Sequence, residues 1–342
     1  MIVTIDAAAR PEPREVGGKG AGLAFLVAAG VPVPPAFVVT ADDFRAAVPA
    51  ALRAEAASLA ADLPPAELEA RCAALRERIV AATEGHSLTA SIATACDDLL
   101  RRTGADELCV AVRSSSIAED AADQSFAGEH DTYLWVLGAE EVDRRVRDCW
   151  ASLVTSRAVA YRRSADADDV AMAVVVQEMA PARAAGVFMT LNPANGDRSK
   201  VAIESVLGLG EPLVSGAVDP DRFLVDKITG EIRRRDTADK TTRAVRDPAT
   251  GRGVVIEPVP PEAASEPSLS DAEIAELVRI ARLVEGEAGS PQDGEFVVVP
   301  SGEVMLVQCR PETAWSRRPR EPVAQGRTAM QSVLAALTHK TS

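Results

Sequence analysis

The chain has 342 residues, 47% hydrophobic and 26% charged, with a formal net charge of −14. That composition supports two or three lobes with real cores, and the acidic balance argues against nucleic acid as the main partner, because phosphate-backbone binding needs a basic surface. No run of eighteen apolar residues predicts a membrane span. The opening MIVTIDAAARPEPR has no basic-apolar leader, and five cysteines (Cys72, Cys96, Cys109, Cys149, Cys309) lack CxxC spacing. Reduced thiols in a cytoplasm are expected, and a zinc site is not.

In chain order, the first signal is EVGGKGAG at 15–22, a lysine set in a run of glycines. It is no Walker A loop, because Lys19 is followed by Gly20 rather than Ser or Thr. Alone it leaves two readings open, a phosphate-holding lysine and an exposed lysine at a helix entry. Leu23, Leu26 and Val27 fall at helical spacing and Gly30 is a stop signal. VPVPP then forces an extended connection into a short strand, AFVV. Thr40 with Asp43 predicts a capping box opening a helix over 41–50. Residues 51–105 are alanine-rich at helical periods and predict two or three helices. ELCVAVR (107–113) reads as a buried strand, 114–130 as a polar loop, and 140–163 as one long helix with Val142, Val146, Trp150 and Leu153 on one face.

The second half is richer in strands: AMAVVVQEM, AAGVFMT, KVAIES and a loop-plus-strand through VDPDRFLVDK, then a helix over 270–288. The fold class predicted is α+β, with a helical N-terminal portion and a sheet-rich second portion. The closing stretch, DGEFVVVPSGEVMLVQCRPE, reads as a hairpin. With Ser301-Gly302 as the central turn pair, Glu295 faces Gln308, Asp293 faces Arg310, and all four share one side of the sheet. Two carboxylates, an amide oxygen and a guanidinium suit a hard cation with an anion beside it. They equally suit a solvated sheet face with a cross-strand ion pair, and spacing leaves both open.

Five ordered stretches, VGGKGAGLAFLVAAGVPVPPAFVVTADDF, AVRSSSIAEDAADQSFAGEHDTYL, VVVQEM, GLGEPLVSGAVDPDRFLV and PQDGEFVV…LVQCRPET, together resemble the nucleotide-binding domain of the phosphoenolpyruvate synthase and pyruvate phosphate dikinase family, which includes rifampin phosphotransferase. The resemblance runs from about residue 10 to 315. It implies an ATP-grasp-like fold whose two lobes clamp ATP, here 1–180 and 181–315, with 316–342 a linker and short tail helix. It also implies a dikinase-type phosphotransferase that cleaves ATP to AMP and passes the β-phosphoryl group to a histidine on a swivelling domain.

By position, Lys19 and Arg113 resemble the cations that grip the phosphates, and Ser125, Gly128 and Thr132 belong to the loop that covers them. Gln177, Glu178, Met179 and Ala180 resemble the hinge that reads adenine and ribose. Glu295 and Gln308 resemble the Mg²⁺ ligands, and Arg310 the phosphate-stabilising arginine. None of His86, His130 and His339 sits in a Gly-Gly-x-x-x-His context. The phosphohistidine is therefore expected on a separate polypeptide, as in phenylphosphate synthase, a relative divided between subunits whose ATP-binding subunit is of similar size. A small-molecule acceptor completes the expectation. The alternatives are a stand-alone ATP-grasp kinase or ligase and a non-catalytic ATP-sensing module.

Overall fold

The computed structural model describes residues 2–59, 63–117, 131–161 and 170–315. Ser125, Gly128, His130 and His339 lie outside them. In chain order come β1 (Val3–Ile5), α1 (Pro13–Ala28), β2 (Ala36–Val39), α2 (Ala41–Ala47), α3 (Ala50–Ser58), α4 (Pro65–Thr83), α5 (Leu88–Thr103), β3 (Cys109–Ser116), β4 (Thr132–Leu137), α6 (Ala139–Ala151) and α7 (Ser156–Tyr161). Then follow β5 (Met172–Glu178), β6 (Ala184–Met189), β7 (Lys200–Leu207), the turn α8 (Glu211–Val214), β8 (Asp221–Asp226), β9 (Ile232–Asp236), β10 (Thr242–Arg246) and β11 (Val254–Pro258). The turn α9 (Pro261–Ala264), α10 (Asp271–Ala288), β12 (Gln292–Val298) and β13 (Val304–Pro311) close the body, which spans Met1–Glu312.

Two antiparallel sheets organise it. The first has the order β1-β2-β5-β3-β4 and the second β13-β12-β6-β7-β8-β9, with β10-β11 a separate pair. The class is α+β with two lobes, ATP-grasp-like, as the resemblance implied. Central β5 is an unbroken apolar run because it is buried on both faces. Met172, Val174 and Val176 enter a core built with α2–α7, where Phe44 meets Trp150 edge-on at 5.7 Å. Ala173 and Val175 enter a second core with α1, α10 and the second sheet, including Leu23, Phe188, Leu277 and Phe296.

The capping box predicted at Thr40 and Asp43 is present at the start of α2, and α10 opens on a second reciprocal box, Ser270 with Glu273. The helix expected over 41–50 stops at Ala47, because Val48 precedes Pro49 and is driven extended; a new helix starts at Ala50. The long helix expected over 140–163 is broken: α6 ends at Ala151, a 3₁₀ turn follows at Ser152–Val154, and Thr155 is extended before α7. The strand over 107–113 in fact runs Cys109–Ser116. Ser114–Ser116 belong to the sheet because their small side chains pack under neighbouring elements. Strands β9 and β10 carry charged patterns that give no strand signal, and β4 (TYLWVL) and β11 (VVIEP) are two further strands beyond those expected.

In the second lobe, Lys240 and Asp221 form an ion pair at 2.7 Å, both side chains almost wholly buried. Asp221 also accepts from the Ser268 amide and hydroxyl at 2.6 Å each and from the Ala238 amide at 2.8 Å. This network fastens the loop before β10 to β8.

Candidate functional site

The glycine run forms a bent helix, not an open loop. Helix α1 kinks at Gly17, whose φ of 68° and ψ of 174° are non-helical. Ser115 of β3 inserts its hydroxyl into the break: Oγ donates to the Val16 carbonyl at 2.8 Å and accepts from the Gly20 amide at 3.2 Å. Those are the two groups a straight helix would join directly. A Cβ on Gly17 would stand 2.3 Å from the Ser115 carbonyl oxygen. On the next turn, a Cβ on Gly22 would stand 2.5 Å from the Cys309 carbonyl oxygen of β13. The run therefore holds β3 and β13 against one helix. Two residues before Ser115 stands Arg113, and Gln308 and Arg310 flank Cys309.

The hairpin places its polar residues as the spacing predicted, by a different route. Asp293 pairs with Arg310 and Glu295 with Gln308, but from Phe296–Leu306 to Val298–Val304 the register differs by one residue. The turn is not centred on Ser301-Gly302. Val299 pairs with Glu303, and Gly302, at φ 88°, closes a turn onto the Val299 carbonyl. A bulge at Val307 restores the predicted register at the site end. Two departures from a regular hairpin thus cancel where the chemistry is.

Arg113 joins the sheets. Its Nη1 donates to the carbonyl of bulged Val307 at 2.8 Å, and its Nη2 to Glu295 Oε2 at 2.9 Å and Gln308 Oε1 at 2.8 Å. Arg310 is committed elsewhere, donating from Nε and Nη2 to Asp293 Oδ2 at 3.1 and 3.0 Å. Burial pushes the Asp293 carboxyl up from the usual range, and Arg310 opposes that push. Thr132 opens β4 directly opposite Arg113 in the ladder. Lys19 is half-buried just past the kink. Burial pushes the thiol of Cys149 up, while the Lys19 ammonium lies near enough to oppose that shift. The sulfur is 3.8 Å from the Asp131 carbonyl, one residue before Thr132. Lys19, Arg113, Thr132, Glu295, Gln308 and Arg310 thus gather around the α1–β3–β13 junction.

The predicted hinge residues sit at the far end of β3. Gln177 is buried and donates its amide to the Pro34 carbonyl at 3.3 Å. The backbone amide of Glu178 bonds the Pro35 carbonyl and that of Met179 the Cys109 carbonyl, both at 2.9 Å. Burial pushes the Glu178 carboxyl up. Met179 and Ala182 pack with Trp135, Cys109, Leu209 and Ala244 in a small apolar cluster separate from the two main cores; Ala180 lies between them in sequence. Cys109, Ala111 and Arg113 alternate onto one side of β3, so about 13 Å separates this cluster from the Arg113 end.

Sequence reasoning did not single out Ser115, the Val307 carbonyl or the Gly22–Cys309 contact. The serine run at 114–116 was the only trace of the first, and backbone carbonyls leave no trace at all. The donor set of Glu295 and Gln308, carboxylate and amide oxygen on neighbouring strands, fits a hard divalent cation of the Mg²⁺ type. Among the described residues no group of three or more His, Cys, Asp or Glu forms a metal cluster, so substrate oxygens would complete such a coordination shell.

The profile of the family described as "Pyruvate phosphate dikinase, AMP/ATP-binding domain" matches residues 13–331. A "Probable phosphoenolpyruvate synthase" of Methanothermobacter thermautotrophicus is 39% identical over 326 residues, covering 94% of this chain and 47% of that protein. The "Phosphoenolpyruvate synthase" of Aeropyrum pernix is 36% identical over 95% of this chain and 44% of its own length. The "Prodigiosin synthesizing transferase PigC" of Serratia marcescens is 39% identical over 93% and 34%, respectively. The chain spans about half the length of the phosphoenolpyruvate synthases it matches. Among the described residues no helix is long and apolar enough to cross a membrane.

Proposed function

Because this chain belongs to the pyruvate phosphate dikinase AMP/ATP-binding-domain family, we propose that it is the ATP-cleaving module of a dikinase-type phosphotransferase. The bond between the α- and β-phosphates of ATP breaks and AMP leaves; the bond between the β- and γ-phosphates is cleaved by water, the γ-phosphate leaves as orthophosphate, and the β-phosphoryl group remains on a histidine of a swivelling domain carried by another polypeptide. That domain then delivers it to a small-molecule acceptor. The lobes divide near residue 180, and residues 316–342 serve as linker and docking segment. A reducing, cytoplasmic setting suits the five cysteines, none of which is in a disulfide.

The observation that supports this reading best is Arg113 of the first sheet meeting Glu295 and Gln308 of the second. Phosphoryl transfer depends mainly on positioning and charge neutralisation, and this junction collects the required charges from both lobes. Lys19, Arg113 and Thr132 hold the phosphates, with Ser125 and Gly128 covering them. Arg310, held in orientation by Asp293, faces the charge that develops on the transferred group. Gln177, Glu178, Met179 and Ala180 border the base and ribose. Glu295 and Gln308 would hold Mg²⁺, which would supply neutralisation of phosphate charge.

Arg310→Ala tests the assignment. AMP formation in the presence of the histidine-bearing partner is expected to fall by about 10³-fold or more, with ATP affinity changed by less than about tenfold. Transfer at the wild-type rate would show that Arg310 has no part in it.

A further inference from the structure

The guanidinium of Arg113 sits where three oxygens converge: a backbone carbonyl, a carboxylate and a side-chain amide. A hard cation selects that donor set. A single nitrogen, Nη2, is shared by Glu295 Oε2 and Gln308 Oε1 at 2.9 and 2.8 Å, so the arginine already stands between the two side chains assigned above to the metal. Its side chain is only 11% exposed, against 36% for Arg310. A charge so far withdrawn from water depends on its oxygen partners, and losing them without replacement is costly. The neighbouring arginine is bound to a different carboxylate, Asp293, and leaves Glu295 and Gln308 untouched.

We propose that Arg113 is an internal substitute for the divalent cation, a latch that must let go of Glu295 and Gln308 before they can hold a metal. This rests on the reading of those two residues as metal ligands. Metal arrival takes away the arginine's oxygens and adds a like charge beside it, so release is favourable only when another anion receives the guanidinium. Nucleotide phosphates are that anion. Metal and nucleotide therefore bind cooperatively: a divalent ion by itself competes with Arg113, and a triphosphate opens the site for it. Such coupling commonly amounts to about 5–150-fold in affinity. The latch also ties the two lobes together through the bulge carbonyl of Val307, so its release loosens the junction when the ligand arrives.

Manganese(II) without nucleotide, followed by the electron paramagnetic resonance signal of the free ion, tests this directly on the whole chain. Arg113→Met should bind Mn²⁺ at least about tenfold more tightly than wild type. Arg310→Met removes an equal charge from the same patch without freeing the two oxygens, and should gain far less. Arg113→Lys keeps the charge but cannot reach all three oxygens from one planar fork; it should fall between wild type and Arg113→Met. Equal gains in Arg113→Met and Arg310→Met, or no gain in the Met and Lys variants of Arg113, would overturn the latch, leaving the metal assignment intact if wild type still binds Mn²⁺ with ATP. A gain that persists when Glu295→Gln is added to Arg113→Met would instead overturn the metal assignment.

Discussion

The added methyl in Gly22→Ala probes whether the glycine run positions the phosphate site. The Cβ would lie 2.5 Å from the Cys309 carbonyl oxygen, about 0.9 Å inside the 3.4 Å at which ordinary contact begins. Both atoms belong to rigid elements, a helix and a strand, so the strain falls on the α1–β13 spacing. Overpacking of this kind costs about 1–3 kcal/mol. The displaced strand carries Gln308 and Arg310 on either side of Cys309, and a shift approaching 1 Å breaks charge-assisted hydrogen bonds whose geometry tolerates only a few tenths of an ångström. Affinity for ATP with Mg²⁺, measured by titration calorimetry, should fall about 10–100-fold, with a Tm several degrees lower by differential scanning fluorimetry. Gly30→Ala is the control. Gly30 has φ +73° but open space around an added Cβ, so backbone strain of about 1–2 kcal/mol should lower Tm while ATP affinity stays at the wild-type value. Equal ATP affinity in Gly22→Ala and wild type would refute the positioning argument.

Two further outcomes test other parts of the account. Lys240→Met strands the Asp221 carboxylate in a dry interior and should destabilise the protein by about 3–5 kcal/mol in urea unfolding; a change below about 1 kcal/mol would mean that the Ser268 and Ala238 donors satisfy Asp221 alone. Cys109 is the one cysteine that is not buried, so iodoacetamide should modify it first. Burial pushes its thiol above the usual range, so the rate should still be climbing with pH above 9, where a free thiol levels off. Cys96 and Cys309, pushed up to about 12 by burial, should react only on unfolding. Since Cys109 adjoins Met179 in the apolar cluster, ATP should protect it, and unchanged alkylation with ATP bound would argue against that end of β3 as the base site.

The sequence made much of this legible where one residue pattern answers to one physical demand. The box at Thr40–Asp43 is a local hydrogen-bond device and marked its helix. The apolar run of β5 marked a strand. The hairpin's alternation brought Glu295, Gln308, Asp293 and Arg310 to one side. What stayed hidden depends on distant partners. The Gly17 kink is explained by a serine almost a hundred residues away. The Val307 bulge is filled by a guanidinium from the other sheet, and Arg113's contacts join residues 182 and 195 positions apart. Strands such as IRRRD and TRAVR are half-exposed and charged, so neither period nor composition announced them.

The most direct test of the central claim is the fate of label from ATP carrying ³²P at the β-position, incubated with this chain, Mg²⁺ and a histidine-domain protein supplied separately. AMP is the expected nucleotide product, with acid-labile label on the partner's histidine and neither formed when this chain is omitted. Accumulation of ADP, with no label on the partner and with transfer straight to a small molecule, would contradict it.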